Sequence, residues 1–428
     1  MKTAIVGGTI IDGTGAPPIE DGVVLVEEGK IAAVGREGEV PIPQGVEIID
    51  ARARFLLPGL IDCHVHVYYP GFVPTPPRGL PQAYAGVVAL RNLRCALQAG
   101  VTTVRDLGSG YIALALKTAI DRGLVLGPRV LAAGAGICIT GGHGSGPVDW
   151  CSALEADGPE AVKQAVRRER KAGANLIKLL ASNRHGDFSE FTIDELKAGV
   201  EEAHRLGMRV AVHASTFSAT KAAALAGADT IEHGIAIEEE TAAIMAEKGI
   251  VLVPTLWVLH DIFEEAKALK EKYQKEGEYR YHPDRERIEG TLRVYTGIME
   301  DIPRTMEIVH KHGVKVATGT DNIRATRPFA MLHREIEFLT RYGYSNMEAI
   351  QAATKTAAEA LGLAEELGTI EPGKVADLIM VDRDPLQDIA VLGEVSWVMK
   401  EGKVVSASPE WRRRPVREPW SQGGEDAA

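Results

Sequence analysis

The chain has 428 residues, of which 45% are apolar and 25% are charged, the ordinary composition of a soluble globular protein. This length exceeds that of one ordinary core and suits a barrel with a smaller domain beside it. The formal net charge of −11 argues against a nucleic-acid partner, because phosphate binding needs a basic face. No apolar run is long enough to span a bilayer or to form a signal segment. These features predict a cytoplasmic protein that binds neither nucleic acid nor a membrane.

Both ends of the chain have the pattern of short β-strands joined by turns. The N-terminal strand patterns are residues 3–6, 22–27, 30–34 and 46–50, and the C-terminal ones are residues 376–381, 395–400 and 403–405. Because an isolated hairpin is only marginally stable in water, we expect these strands to join in one sheet. The prediction is a composite β-sandwich domain of residues 1–57 and 364–408, followed by a loosely packed tail over residues 409–428.

Residues 58–363 alternate short apolar strands with amphipathic helices, two of which are predicted over residues 159–172 and 193–206. The eight strand patterns are residues 60–66, 101–107, 129–137, 176–181, 209–213, 228–233, 250–256 and 315–321. Repeated β-α units imply parallel strands, and eight units imply a closed (β/α)8 barrel, the TIM barrel of the α/β class.

Residues 261–301 are longer than an ordinary loop and are dense in Glu, Lys and Tyr. This composition favours a solvated helical insertion. Because the insertion leaves the carboxyl end of the seventh strand, it would lie over the active face of a barrel. A lid that gates the substrate is therefore the second interpretation of this segment.

Metal-ligating side chains recur where the predicted strands end. His64 and His66 are two residues apart on the first strand, so they share one face. The others are Lys178 on the fourth strand, His213 and His233 at the ends of the fifth and sixth, and Asp321 at the end of the eighth. Each alone has a structural explanation, but an unpaired ammonium inside an apolar strand is costly. Their coincidence at one face of a barrel predicts an active site with bound metal.

These segments together resemble a known family. Pro-Gly-Leu-Ile-Asp-Cys-His-Val-His, the lysine strand, the two single histidines, Gly-Thr-Asp-Asn and the closing Gly-Thr-Ile-Glu-Pro-Gly-Lys-Val-Ala-Asp-Leu are similar to the metal-dependent amidohydrolase superfamily. Within it the chain resembles most the branch of imidazolonepropionase-related enzymes and Xaa-Pro dipeptidases. The resemblance covers the chain except for residues 261–301 and the tail. It implies a barrel flanked by a composite β-sandwich, with two divalent metal ions at the barrel's active face.

The resemblance also implies a role for each ligating side chain. The implied ligands are His64, His66 and Asp321 for the more buried metal, His213 and His233 for the second metal, and N6-carboxylated Lys178 as the bridge between them. A lysine carbamate is an anionic oxygen ligand, so no free ammonium would remain buried. Imidazole and oxygen ligands suit zinc, and they are compatible with manganese or cobalt.

The activity implied by such a site is hydrolysis of an amide bond. Two metals that share a water lower its pKa from about 15.7 towards ~7 and so yield hydroxide at neutral pH. Asp321 would accept the proton of this water and deliver it to the leaving amine. The expected enzyme is a dipeptidase or a carboxypeptidase-like enzyme for Xaa-Pro or related dipeptides, and a homo-oligomer. The alternative is an amidase for N-acyl amino acids or aryl amides of the ochratoxin type.

Other residues are candidates for contacts with this small-molecule substrate. His143, in the loop Gly141-Gly142-His143-Gly144 after the third strand, is predicted to contact the substrate or its oxyanion. Weaker candidates are Arg105, Tyr69, Trp257 and Arg324. A guanidinium can bind a substrate carboxylate with two parallel hydrogen bonds. Each arginine is equally compatible with a structural ion pair.

Two competing functions remain at this stage. Mononuclear deaminases of the same superfamily resemble one another in having HxxE after the fifth strand, whereas this chain has His213-Ala214-Ser215-Thr216. Lys178 also counts against imidazolonepropionase itself, which works with one metal. The second competitor is a non-catalytic scaffold, which would have lost ligands that are all present here. A metal assay separates a scaffold from an enzyme.

Overall fold

The computed structural model describes residues 2–68, 81–146, 153–182, 186–276, 279, 282–322 and 329–407. Two of the weaker substrate candidates, Tyr69 and Arg324, lie outside the described residues, as does the predicted tail over residues 409–428.

The described strands and helices alternate through the middle of the chain. The strands are β1 (Lys2–Ile10), β2 (Ile19–Glu27), β3 (Lys30–Arg36), β4 (Glu47–Asp50), β5 (Phe55–Pro58), β6 (Leu60–Val65), β7 (Val101–Asp106), β8 (Arg129–Ala132), β9 (Ile137–Cys138), β10 (Leu154–Glu155), β11 (Leu176–Leu180), β12 (Arg209–Ala214), β13 (Thr230–His233), β14 (Val251–Val253), β15 (Leu378–Val381), β16 (Trp397–Lys400) and β17 (Lys403–Ala407). The helices are α1 (Pro81–Gln98), α2 (Tyr111–Asp121), α3 (Pro159–Ala172), α4 (Ile193–Arg205), α5 (Phe217–Ala226), α6 (Glu239–Lys248), α7 (Leu256–Lys275), α8 (Arg285–Lys311), α9 (Leu332–Arg341), α10 (Asn346–Ala352) and α11 (Lys355–Leu361).

Strands from both ends of the chain form one eight-stranded sheet. Its order is β17-β16-β15-β5-β1-β2-β3, and β4 also pairs with β1. The two ends meet where β15 runs antiparallel to β5, with Leu378 opposite Pro58. Both faces of β1 and β2 are buried: Ile5 and Val24 belong to one hydrophobic cluster, and Ala4 and Val23 belong to another. The predicted joining of the two chain ends in a single sheet is therefore present.

The strands between these ends are parallel and form two sheets among the described residues. One has the order β6-β7-β8, and the other has the order β10-β9-β11-β12-β13-β14. The third predicted strand, residues 129–137, is split into β8 and β9, which pair with β7 and β11 respectively. The ladders therefore do not run continuously around a barrel.

The eighth predicted strand, residues 315–321, makes an isolated bridge instead of a ladder strand. Val316 pairs with Leu252 of β14, and the N–H of Cys63 in β6 donates to the carbonyl of Thr318 at 2.9 Å. The segment therefore bonds to both neighbouring strands. Gly319 permits this approach, because a Cβ at that position would lie 2.7 Å from the Cβ of His64.

Residues of the predicted insertion lie in two long helices, α7 and α8, which pack against each other. An ion pair joins Lys270 of α7 to Glu289 of α8 at 3.3 Å. These two charged side chains thus pair with each other while remaining partly exposed, as expected for a solvated helical insertion. Its action as a lid stays a prediction. Across the described ranges, no helix combines the length and the hydropathy needed to cross a bilayer.

Candidate metal centre

His64 and His66 converge on one carboxylate at the carboxyl end of β6. Their ring centroids are 5.5 Å apart. The Nε2 atoms of His64 and His66 lie 3.7 and 3.4 Å from the same Oδ1 of Asp321. The backbone N–H of Asp321 donates to the carbonyl of His64 at 2.7 Å, which holds the aspartate segment against the strand. Three of the predicted ligands are therefore brought together.

His213 and His233 extend this group across β12 and β13. Their ring centroids are 4.5 Å apart, and those of His64 and His233 are 5.0 Å apart. His64, His233 and Asp321 each offer a ligand atom, and these atoms lie within 4.8 Å of one another. The histidines that the family resemblance assigned to two different metals thus belong to one cluster.

Lys178 lies in the middle of β11 and is 1% exposed. Its Nζ has no hydrogen-bond partner among the residues that the structure describes. Burial lowers the pKa of this amine to about 8, against the opposing effect of the Glu232 carboxylate. Burial therefore favours the neutral, nucleophilic form of this amine more than in a solvent-exposed lysine.

His64 at the end of β6 and His66 directly after this strand are both neutral at pH 7. Burial lowers the pKa of His66 to about 3 and that of His64 well below its ordinary value. A neutral imidazole keeps a lone pair for a metal. Nδ1 of His64 lies 2.8 Å from Oε2 of Glu232. Because an ionised carboxylate only accepts, this nitrogen carries the proton, and Nε2 is left as the ligand atom facing Asp321.

Arg105 is buried beneath these histidines. Its Nη2 contacts Oε1 of Glu232 at 2.7 Å, and its Nε donates to the carbonyl of Cys63 at 2.5 Å. Nη1 donates to Oγ1 of Thr230 at 3.0 Å. The sequence allowed two roles for this arginine, a structural ion pair or a contact with a substrate carboxylate. The guanidinium is 2% exposed and makes the ion pair, with Glu232.

We expect Arg105→Met to lower the free energy of unfolding by about 3–5 kcal/mol, because it leaves the carboxylate of Glu232 buried without its cation. Denaturant titration measures this loss. In the double variant Arg105→Met/Glu232→Gln, which removes both charges, part of the loss should be recovered. Arg383→Met, at an exposed ion pair, is the control and should leave stability nearly unchanged. Unchanged stability with a raised KM would instead favour a substrate contact.

His143 reaches the same cluster from the glycine loop. Its ring stacks on that of His213 with centroids 4.2 Å apart. Its backbone N–H donates to Oε2 of Glu190 at 2.9 Å. Trp257 is less accessible: it lies in the first turn of α7, is 4% exposed, and its backbone N–H donates to Glu335. Among the described candidates for substrate contact, His143 is the one whose ring stacks on that of a predicted ligand.

Sequence reasoning missed the carboxylates that hold these side chains in place. One of them is Glu232, and the other is Asp62. Asp62 accepts the backbone N–H of Thr320 at 3.0 Å and that of His64 at 3.2 Å. Burial raises the pKa of Asp62 to about 7. An acidic residue inside an apolar strand was a usable signal, because a buried carboxylate must have partners. Glu232 was obscured because it precedes His233, and neighbours on a regular strand face opposite ways.

The alternation fails at His233 because this residue has a φ of 70° and leaves the strand geometry. Its Nδ1 lies 2.8 Å from Oγ1 of Thr255, which follows β14. The main chain after Thr255 is held in turn by Glu335, a residue of α9. Neither Thr255 nor Glu335 belongs to a local motif that sequence reasoning could have recognised.

The donor set fits divalent metals. It combines neutral imidazole nitrogens, the Asp321 carboxylate and a buried amine that no described residue satisfies. Imidazole and oxygen ligands are those of zinc and related ions.

The chain is similar to known proteins over most of its length. The sequence profile of the Amidohydrolase family matches residues 55–405. Ochratoxinase of Aspergillus niger is 32% identical over 465 residues, covering 99% of this chain and 89% of ochratoxinase. Imidazolonepropionase of Sphingopyxis alaskensis is 27% identical over 413 residues, covering 88% of this chain and 90% of that protein. The crystal structure of a Xaa-Pro dipeptidase with methionine bound in its active site is 31% identical, with a TM-score of 0.82, and covers 95% of this chain and 100% of the dipeptidase.

Proposed function

The chain belongs to the amidohydrolase family and is a hydrolase acting on carbon–nitrogen bonds, and from this premise we propose that it is a binuclear-metal dipeptidase or carboxypeptidase-like enzyme. The proposed framework is a closed (β/α)8 barrel, with residues 315–321 as its eighth strand. The backbone hydrogen bonds of this segment to β6 and β14 support that closure. The proposed metals lie at the carboxyl ends of the strands.

The observation that carries the binuclear proposal is the buried amine of Lys178, which has no described hydrogen-bond partner and is close enough to His64 and His66 to lower their pKa. A charged amine would be costly there, and a neutral amine would leave its hydrogen-bonding capacity unused. Carboxylation removes both problems: Nζ attacks CO2, the new N–C bond forms, and one proton is released. The resulting carbamate is an anion with two oxygens, which suits a position between two cations.

The proposed ligands divide between two sites. They are His64, His66 and Asp321 for the first metal, His213 and His233 for the second, and the carbamate of Lys178 for both. When bound, the metals supply Lewis acidity and make water acidic enough to yield hydroxide at neutral pH.

Asp321 is the proposed general base and general acid. Its carboxylate would accept the proton of the attacking water and then deliver it to the nitrogen of the leaving amine. Asp321 is 6% exposed, and its Oδ1 lies 3.7 and 3.4 Å from Nε2 of His64 and of His66. The hydrogen bond from its backbone N–H to His64 fixes its position relative to β6.

His143 is proposed to stabilise the oxyanion or to hold the substrate. We expect His143→Ala to lower kcat about 10²–10³-fold, because one donor to the developing charge is lost. The amount of metal bound by the variant should equal that of the wild type, since His143 is not among the proposed ligands. Metal analysis and steady-state kinetics measure the two effects. His204→Ala, which removes an exposed histidine bound to Asp229, is the control and should leave both unchanged. Loss of metal from His143→Ala would make this residue a ligand instead.

The proposed substrate is a dipeptide, with Xaa-Pro dipeptides first among them. The likeness to a Xaa-Pro dipeptidase over 95% of this chain supports this choice. The second candidate substrate is an N-acyl amino acid or an aryl amide. It is favoured by the 32% identity to ochratoxinase over 99% of the chain.

A combined metal and substrate assay tests the proposed function. Purified protein should contain divalent metal at about two ions per chain and should hydrolyse members of one of these two substrate classes. Removal of metal with a chelator should abolish hydrolysis, and added Zn²⁺ should restore it. Protein without stoichiometric metal and without hydrolysis of any dipeptide, N-acyl amino acid or aryl amide would instead be the scaffold considered above.

A further inference from the structure

Three residues at the carboxyl ends of the parallel strands have a left-handed backbone conformation without being glycine. They are His233, Thr255 and Asp321, with φ of 70°, 51° and 44°. A β-branched residue such as Thr255 is a genuine outlier in this region. Such conformations persist only where the surrounding structure holds them, and they concentrate at functional sites.

The turn at Thr255 is held by Glu335. One oxygen of Glu335 accepts the N–H of Leu256 at 3.0 Å, and the other accepts the N–H of Trp257 at 2.7 Å. These are the first N–H groups of α7, which have no acceptor within the helix. Glu335 is fully buried, and it reaches this turn from α9.

A threonine before a helix ordinarily caps it by accepting one of these N–H groups through its hydroxyl. Thr255 makes no such bond to α7. Its hydroxyl lies 2.8 Å from Nδ1 of His233 instead. Glu335 therefore performs the capping of α7, and the hydroxyl of Thr255 is left for the imidazole.

We propose that Glu335 is a positioning residue for the metal centre, acting through Thr255 on His233. With Nδ1 of His233 engaged by Thr255, Nε2 is the ring nitrogen that remains for the cluster with His64 and Asp321. Partners of a ligating histidine fix its tautomer and ring orientation. This inference rests on the proposed function in taking His233 as a metal ligand. It adds a residue of an outer helix to the groups that set metal affinity.

The test measures the affinity of the metal-free protein for Zn²⁺ alone, by competition with a chelating indicator. Glu335→Gln places an amide donor against a backbone donor, and Thr255→Gly removes the hydroxyl but accepts the left-handed conformation. Each is expected to weaken Zn²⁺ binding about 10–100-fold. Thr255→Ser, which keeps the hydroxyl, should bind Zn²⁺ as the wild type does. The visible spectrum of the Co²⁺-loaded protein should change in Glu335→Gln and in Thr255→Gly, but not in Thr255→Ser.

The double variant distinguishes positioning from two unrelated structural defects. If Glu335 acts through Thr255, Glu335→Gln/Thr255→Gly should bind Zn²⁺ no more weakly than the weaker single variant. If the double variant loses affinity for Zn²⁺ by the product of the two single losses, the coupling is overturned. It is also overturned if Glu335→Gln binds Zn²⁺ as tightly as the wild type. Should Glu335→Gln alone fail to fold, the double variant is expected to fold, because glycine relieves the strained turn. Failure of both to fold would overturn the coupling as well.

Asp377→Asn is the matched control. Asp377 is 6% exposed, accepts a backbone N–H from Glu401 at 2.7 Å and pairs with Arg129 at 2.8 Å. It directly precedes β15, a strand of the sheet that both chain ends form. This variant should lower stability and leave the affinity for Zn²⁺ unchanged. A wild-type protein that takes up no Zn²⁺ would overturn the proposed function together with the coupling. A wild-type protein that binds Zn²⁺, together with a Glu335→Gln variant that binds it equally tightly, would overturn the coupling alone.

Discussion

Lys178→Ala is expected to lose its bound metal and to lower kcat/KM about 10³-fold or more. A bridging oxygen ligand disappears with the amine, and the transition-state stabilisation of several kcal/mol that the metals supply disappears with it. Elemental analysis of the purified variant and steady-state kinetics measure the two losses. Full activity in this variant would refute the bridging role of Lys178.

Two further variants separate the missing ligand from a packing defect. Lys178→Met fills most of the volume of the side chain but has no amine, and it should be as inactive as Lys178→Ala. Acetate or propionate should partly restore metal binding to Lys178→Ala, because the vacated space can hold a carboxylate, and should not do so in Lys178→Met. Lys221→Ala is the control: Lys221 is 39% exposed and pairs with Glu240, so its loss should not change activity.

Asp321→Asn is expected to lower kcat about 10³–10⁴-fold, because a carboxamide accepts no proton from the attacking water. The variant should remain folded, since the amide is isosteric and the backbone hydrogen bond of this residue to His64 is retained. Its residual activity should also lose the acidic limb of the pH profile that the general base produces. Measurement of kcat across pH tests both expectations.

Asp229→Asn is the matched control for Asp321→Asn. Asp229 also contacts a histidine, His204, at 2.8 Å, but this pair lies at the partly exposed start of β13. Its activity should stay within about twofold of the wild type, as expected for a surface substitution away from the site. Equal losses in the two variants would mean that a general loss of carboxylate charge, and not proton transfer at Asp321, lowers activity.

The sequence predicted helix bounds closely where the ends carry local signals. The predicted helix over residues 159–172 agrees with α3, which begins at Pro159 and ends before the left-handed Gly173. The predicted helix over residues 193–206 agrees with α4 to within one residue, and Thr192 and Glu195 form a capping box. Such signals depend on neighbouring residues alone, so a single sequence contains them.

Strand pairing was predicted less well. The third predicted strand is divided into β8 and β9, and the eighth makes only a bridge among the described residues. Ladder hydrogen bonds join segments that are far apart in the chain. Gly319, for example, allows the eighth segment to approach His64, and no local pattern announces that approach. The resemblance to the amidohydrolase family, by contrast, is confirmed by the match over residues 55–405.

The sequence by itself determined which residue types stand at the carboxyl ends of the parallel strands, since strand periodicity and the alternation of strands and helices along the chain follow from local patterns. Only the tertiary structure decided the partners of the buried ionisable groups: Arg105 with Glu232, and Glu335 with the main chain after Thr255. The physical reason is that a buried charge takes whatever partner the packing brings within about 3 Å. That partner is set by elements more than a hundred residues apart in the first pair.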